Sequence, residues 1–153
     1  MPKLLGRIAI GLGVAVVVIQ LIPYGRNHTN PPLRSEPAWD APETRALAKR
    51  ACFDCHSNET QYPWYSNIAP VSWLTERDTL EGRSKLNFSE WNRPQKDAKD
   101  AAEEVEKGEM PLWFYVPLHP EAKLTAAEKA QLIRGLKATI GDTPGALTEA
   151  DER

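Results

Sequence analysis

The sequence predicts a small all-α domain of roughly 100 residues, and three observations carry that prediction. Helix-capping pairs recur along the chain, Asp40 with Glu43 and Thr125 with Glu128. No stretch holds the period-two alternation of a strand, and nothing repeats. Ten of the twelve aromatic residues fall between Phe53 and Tyr115, which marks where a core or a binding pocket is expected.

The first element is the N-terminal run. Leu4 to Ile22 is apolar except for Arg7 and Gln20, and Ile8–Ile19 carries no charge. A bilayer span takes ~20 apolar residues. The run reaches that length if Arg7 snorkels toward the headgroups, and no small-x-small cleavage site ends it. Residues 1–22 are therefore expected to form an uncleaved signal anchor, a transmembrane helix with its basic end inside. That expectation places the rest of the chain on the periplasmic side of a bacterial inner membrane; a cleaved, soluble periplasmic form is the rival. Residues 23–38 are proline-rich and aperiodic and read as an extended tether.

The domain is expected over residues 39–141. Its first helix runs from about Ala41 to about Cys55, started by Asp40. Residues 58–70 read as loop. Val71 to about Glu81 reads as helix, with a stop near Gly82. Leu86–Trp91 reads as a short helical turn. Pro94 suits the first turn of a helix that reaches about Lys107, and Gly108 suits its C-terminal stop. Residues 109–123 read as loop. The last helix starts at Thr125, shows Leu132, Ile133, Leu136 and Ile140 on one face, and ends at Gly141. Residues 142–153 read as a flexible tail. Aliphatic content is thin for such a domain, so a large apolar cofactor would help complete its core.

Net charge is −2 over 153 residues, too small to argue for nucleic acid or for any charged partner. Two cysteines build neither a disulfide framework nor a four-cysteine zinc site. The decisive segment is Cys52-Phe53-Asp54-Cys55-His56. C-x-x-C-H is the attachment pattern of c-type haem. Thiols three residues apart on a helical turn share a face, and each can add to one vinyl group of a porphyrin as a thioether. An imidazole four residues from Cys52 lies on the same side and can bind iron. A redox C-x-x-C would need a βαβ pattern, which is absent, and zinc would need a second ligand pair. A plain structural disulfide is the non-haem fallback.

The motif does not stand alone. Cys52–Thr60, then Tyr62-Pro63-Trp64-Tyr65-Ser66 and Ile68-Ala69-Pro70, then Glu81-Gly82-Arg83 and Leu86-Asn87-Phe88-Ser89-Glu90-Trp91, and finally Met110-Pro111 and Leu124–Glu128, resemble the bacterial haem-binding domain family related to c-type cytochromes. The resemblance covers roughly Trp39 to Gly141. It implies a membrane-anchored or exported protein with one haem, held in a small cytochrome c-like helical fold, and it implies no particular reaction.

Met110 is the expected second iron ligand. It precedes a proline in an interhelical loop, as small c-type cytochromes commonly arrange, and no methionine but the initiator competes. His119 is the rival ligand, an open sixth position is the third alternative, and a core methionine is the competing structural reading. Trp64, Tyr65 and Arg83 are candidates to bind a haem propionate, each against a plain packing or solvated role. Trp73, Phe88, Trp91, Trp113 and Phe114 are expected to pack around the porphyrin. By analogy with cytochromes, the Pro70 carbonyl is expected to accept the His56 ring proton. His28 is expected to be solvated.

The expected function is electron transfer outside the cytoplasm by one covalent haem c, attached through Cys52 and Cys55 and ligated by His56 and Met110. No catalytic cluster suggests an enzyme. The expected partners are redox proteins at the membrane and the membrane itself through the anchor. The alternative is a haem-based gas or redox sensor with an open or displaceable sixth position.

Overall fold

A computed structural model describes residues 2–141. Among the described residues it holds six α-helices and no strand. The helices are α1 (Pro2–Ile19), α2 (Pro42–Ala51), α3 (Phe53–His56), α4 (Val71–Lys85), α5 (Ala101–Lys107) and α6 (Ala126–Gly141), joined by short 3-10 turns. The expected all-helical class holds. The tail expected at 142–153 lies outside the described residues. The chain divides into two units, Met1–Thr29 with Tyr62–Asp78, and Asn30–Gln61 with the chain from Thr79 onward. Helix α4 contributes residues to both.

In the smaller unit, α1 does not bear out the expected anchor. No helix among the described residues is long and apolar enough to cross a membrane. The helix ends at Ile19 rather than Ile22. Its uncharged part, Ile8–Ile19, rises only about 18 Å at ~1.5 Å per residue, against a hydrocarbon core of ~30 Å. Beyond Ile19 the chain turns, and the turn has a job of its own: the Gln20 amide donates to the Ala69 carbonyl (2.9 Å) and accepts from the Ala69 N–H (3.0 Å). The transmembrane helix, and with it the single-pass inner-membrane placement, is therefore corrected. His28 is not simply solvated either. It stacks on Tyr62 with ring centroids 4.2 Å apart, and its Nε2 lies 3.2 Å from the Gly25 carbonyl oxygen.

In the larger unit, α6 packs against α5 and α2. Leu132, Leu136 and Ile140 of α6 meet Leu47 and Ala48 of α2 and Val105 of α5 in the core. Residues 30–39 run without regular structure but are pinned. The Arg34 and Ser35 amides donate to the Ser89 carbonyl (2.8 and 3.1 Å), and the Ser35 carbonyl accepts from the Trp91 amide (2.9 Å). Trp39 seals the core edge against Phe88, 5.0 Å between ring centroids.

Several expected boundaries move, each for a local reason. The first domain helix is two helices, broken at Cys52, whose φ/ψ of −128°/−34° leaves the helical region. Its N-cap is Ala41 with no side-chain cap, because Asp40 pairs with Thr139 instead, through bonds of 3.1 Å in both directions. Helix α4 runs straight through Gly82. The glycine is required by close approach: a Cβ there would press into the Cys55 carbonyl oxygen and lie 3.0 Å from the Cys55 carbonyl carbon. Leu86–Trp91 is turn rather than helix, and α5 begins at Ala101, preceded by a 3-10 turn at Ala98–Asp100. Other signals act as expected. Gly108 closes α5 at φ +81°, its N–H on the Glu104 and Val105 carbonyls. Thr125 and Glu128 form a reciprocal capping box at 2.8 and 3.2 Å.

Candidate functional site

The C-x-x-C-H segment forms a single turn of its own. The break at Cys52 leaves its carbonyl to accept the amides of Cys55 (3.2 Å) and His56 (2.9 Å), so both thiols and the imidazole issue from one turn. No disulfide joins Cys52 and Cys55. Burial, then the neighbouring Cys55, pushes the Cys52 thiol up to about 12. A thiol held protonated in this way is a poor redox nucleophile, which argues against a thiol–disulfide role.

His56 is oriented by two backbone carbonyls. Its Nδ1 lies 3.1 Å from the Gly82 oxygen and 3.1 Å from the Leu86 oxygen, at the end of α4. Two acceptors at Nδ1 select the tautomer with its proton there, so Nε2 keeps its lone pair. Burial holds the imidazole below its ordinary value, partly offset by those two carbonyls, and favours the neutral form. Pro70 does not take this part. Its carbonyl accepts the Trp73 (3.1 Å) and Leu74 (3.2 Å) amides and opens α4. The glycine inside α4 gains its reason here: Gly82 lets the helix lie close enough to Cys55 for its own carbonyl to reach the imidazole.

Within the larger unit, Cys52, His56 and Met110 line one cavity of about 280 Å³. Much of the remaining wall is apolar, with Ala51, Leu86, Phe88 and Val105, and four charged side chains, Lys85, Asp97, Asp100 and Glu104, line the rest. Lys85 and Asp100 are exposed, Asp97 and Glu104 half-buried. The size is just below the range of cofactor sites, roughly 300–1,000 Å³. Met110 reaches the cavity from the loop after α5, half-buried against the core, its amide on the Glu104 carbonyl at 3.2 Å. The donor set is thus an imidazole nitrogen, a thioether and a thiol on an apolar wall. Among the described residues no group of three or more His, Cys, Asp or Glu could hold a metal ion. These residues fit a haem, which takes one or two axial donors in a largely apolar slot.

Arg83 is committed to the chain beyond His56, donating to the Ser57 carbonyl (2.7 Å), Asn30 Oδ1 (2.7 Å) and Thr60 Oγ1 (2.8 Å). Trp64 and Tyr65 lie in the 3-10 turn Trp64–Asn67 of the smaller unit, and Trp64 is 75% exposed. Trp73 belongs to that unit as well, and Trp113 is exposed. Phe88 lines the cavity and stacks on Phe53, which ties the cavity wall to the core. His119 stacks on Tyr115, ring centroids 3.7 Å apart.

Two groups of supporting residues are not foreseen from the sequence. The first is a buried polar network. Asn87 Nδ2 donates to Asn58 Oδ1 (2.9 Å), the Ser89 amide to Asn87 Oδ1 (2.9 Å), the Asn58 amide to Ser89 Oγ (2.9 Å) and the Asn87 amide to Gln95 Oε1 (2.8 Å). With the Phe88 amide on the His56 carbonyl (2.8 Å), it fastens the turn that bears the imidazole to residues 86–91. The polar residues scattered through Leu86-Asn87-Phe88-Ser89-Glu90-Trp91 are its only signal. The second group is Asp54 with Tyr115, whose spacing in sequence carries no signal.

Neither the curated proteins nor the solved structures contain a match to the chain. One family model does match. It begins at Val14, within α1, earlier than the expected start at Trp39, and it takes in the C-x-x-C-H turn, α4 and the Met110 loop. By that match over residues 14–138, the chain belongs to the haem-binding domain family.

Proposed function

We propose that the chain carries one haem of the c type and works as an electron carrier rather than an enzyme. The observation that carries this reading is the convergence of Cys52, His56 and Met110 on one apolar cavity, with the His56 ring fixed through Nδ1. In this reading Cys52 and Cys55 would hold the haem as thioethers, each thiol adding S–H across a vinyl group, and His56 Nε2 and Met110 Sδ would bind its iron. The haem, when bound, supplies one-electron exchange between ferric and ferrous iron. The residues of the chain do the rest. Burial keeps the imidazole neutral, and the Gly82 and Leu86 carbonyls keep it aimed. A thioether ligand favours the ferrous form and raises the potential. Leu86, Phe88 and Val105 keep water from the ligands. Redox proteins would supply and remove the electron.

The test is a visible spectrum of haem-loaded protein, wild type beside Met110→Ala and His119→Ala. The reading expects a low-spin spectrum with a methionine-to-iron charge-transfer band, lost in Met110→Ala and kept in His119→Ala. A high-spin wild-type spectrum with tight carbon monoxide binding by the ferrous form would overturn it in favour of a sensor with an open sixth position.

A further inference from the structure

A side-chain bond fastens the loop that presents Met110 to the C-x-x-C-H turn. Asp54 lies between the two cysteines. Its Oδ2 accepts from the Tyr115 hydroxyl at 2.5 Å, and its Oδ1 accepts the Gln61 amide at 2.9 Å. Tyr115 is a rigid part of the Met110 loop. Its amide and that of Val116 donate to the Leu112 carbonyl at 3.0 and 3.3 Å, so Leu112–Val116 moves as one turn, two residues beyond Met110. On the other side, the amides of Glu109 (3.0 Å) and Met110 (3.2 Å) both bond the Glu104 carbonyl at the end of α5. The Tyr115 ring is held in turn by the stacked His119, whose Nδ1 lies 3.0 Å from the Tyr115 carbonyl oxygen. Burial and the Asp54 carboxylate keep the phenol protonated far above its ordinary range, so it remains a donor at every working pH.

We propose that Asp54 and Tyr115 form a latch that positions Met110 on the cavity by tying its loop to the turn that bears His56. Both are positioning residues: neither lines the cavity, and His119 braces the latch instead of competing for the iron. This use of the latch rests on the reading of Met110 as an axial ligand. One charge-assisted bond therefore governs how often the sixth position opens.

Two measurements on the full chain test it. In haem-free protein, Tyr115→Phe keeps the ring and its stacking on His119 but removes the donor. Amide exchange at Tyr115 and Val116 should quicken about tenfold, the order expected for loss of one charge-assisted bond. Asp54→Asn removes the charge without changing the shape and should shift exchange in the same direction, and the double variant should exceed the larger single effect by less than twofold. Unchanged exchange in Tyr115→Phe overturns the latch. In haem-loaded protein, carbon monoxide association with the ferrous form should be about tenfold faster in both Tyr115→Phe and Met110→Ala, with no further gain when they are combined. A rise in Met110→Ala without one in Tyr115→Phe overturns the positioning role. No rise in Met110→Ala overturns the ligation of iron by Met110 and the positioning role together, while the exchange result still decides whether the bond holds the loop.

Discussion

Gly82→Ala separates close approach from ordinary helix propensity by the sign of its effect. In an unobstructed helix this change stabilises, by about 1 kcal/mol at most. At Gly82 the added methyl would meet the Cys55 carbonyl oxygen, with the Cys55 carbonyl carbon at 3.0 Å and its Cβ at 3.1 Å. Both neighbours belong to the C-x-x-C-H turn and cannot rotate aside, so α4 and that turn must separate. Overpacking of this kind costs about 1–3 kcal/mol, and backbone neighbours put it near the upper end. Set against the propensity gain, the net is a loss of about 1–2 kcal/mol. Thermal unfolding of the full chain should report a midpoint about 4–16 °C lower, at ~4–8 °C per kcal/mol for a domain of this size. Gly141→Ala, at the end of α6 with no atom within 4 Å of the added methyl, is the control and should move the midpoint little. A Gly82→Ala protein as stable as wild type, or more so, would refute the claim that this glycine sets the approach of α4 to the C-x-x-C-H turn.

Two further predictions concern the frame around the site. Asn87→Ala leaves Asn58 Oδ1 and the Ser89 amide buried without their partner, and at ~1–3 kcal/mol each it should cost about 2–6 kcal/mol in urea denaturation; a loss below ~0.5 kcal/mol, the scale of an ordinary surface change, would contradict the network. Glu128 is held down to about 2 by the Thr125 amide, then by Arg50 and the Thr125 hydroxyl. Because that value lies below the ordinary 4.5, its contribution is complete above about pH 4.5 and fades as pH falls toward 2. A carboxyl titration by nuclear magnetic resonance should place the Glu128 midpoint near 2, and a midpoint of 4 or more would contradict the capping box.

The chemistry of the site was more legible in the sequence than its support. C-x-x-C-H and a lone internal Met before Pro are local patterns whose residue types name their own chemistry, and the fold sets Cys52, His56 and Met110 on one cavity. Gly108 and the Thr125–Glu128 box acted as punctuation because caps depend on neighbours within one turn. The expectations that failed depended on distant partners. Asp40 looked like a cap, but Thr139, 99 residues away, holds it. Gly82 looked like a stop because its true reason, the backbone of Cys55, is invisible along the chain. Arg83 looked suited to an anionic ligand and is engaged by Ser57, Asn30 and Thr60. The N-terminal run misled differently. Its composition suited a membrane, but the uncharged stretch is too short and Gln20 ends it on the Ala69 backbone.

The proposed chemistry stands or falls on a haem bonded to the two thiols of this turn. Mass spectrometry of the chain matured in cells that attach haem covalently decides it, with fragmentation of the peptide containing residues 52–56. A covalent haem predicts the polypeptide mass plus one haem, carried on that peptide and reduced to a single thioether or lost in Cys52→Ala and Cys55→Ala. The bare polypeptide mass, with both thiols open to alkylation, would contradict it.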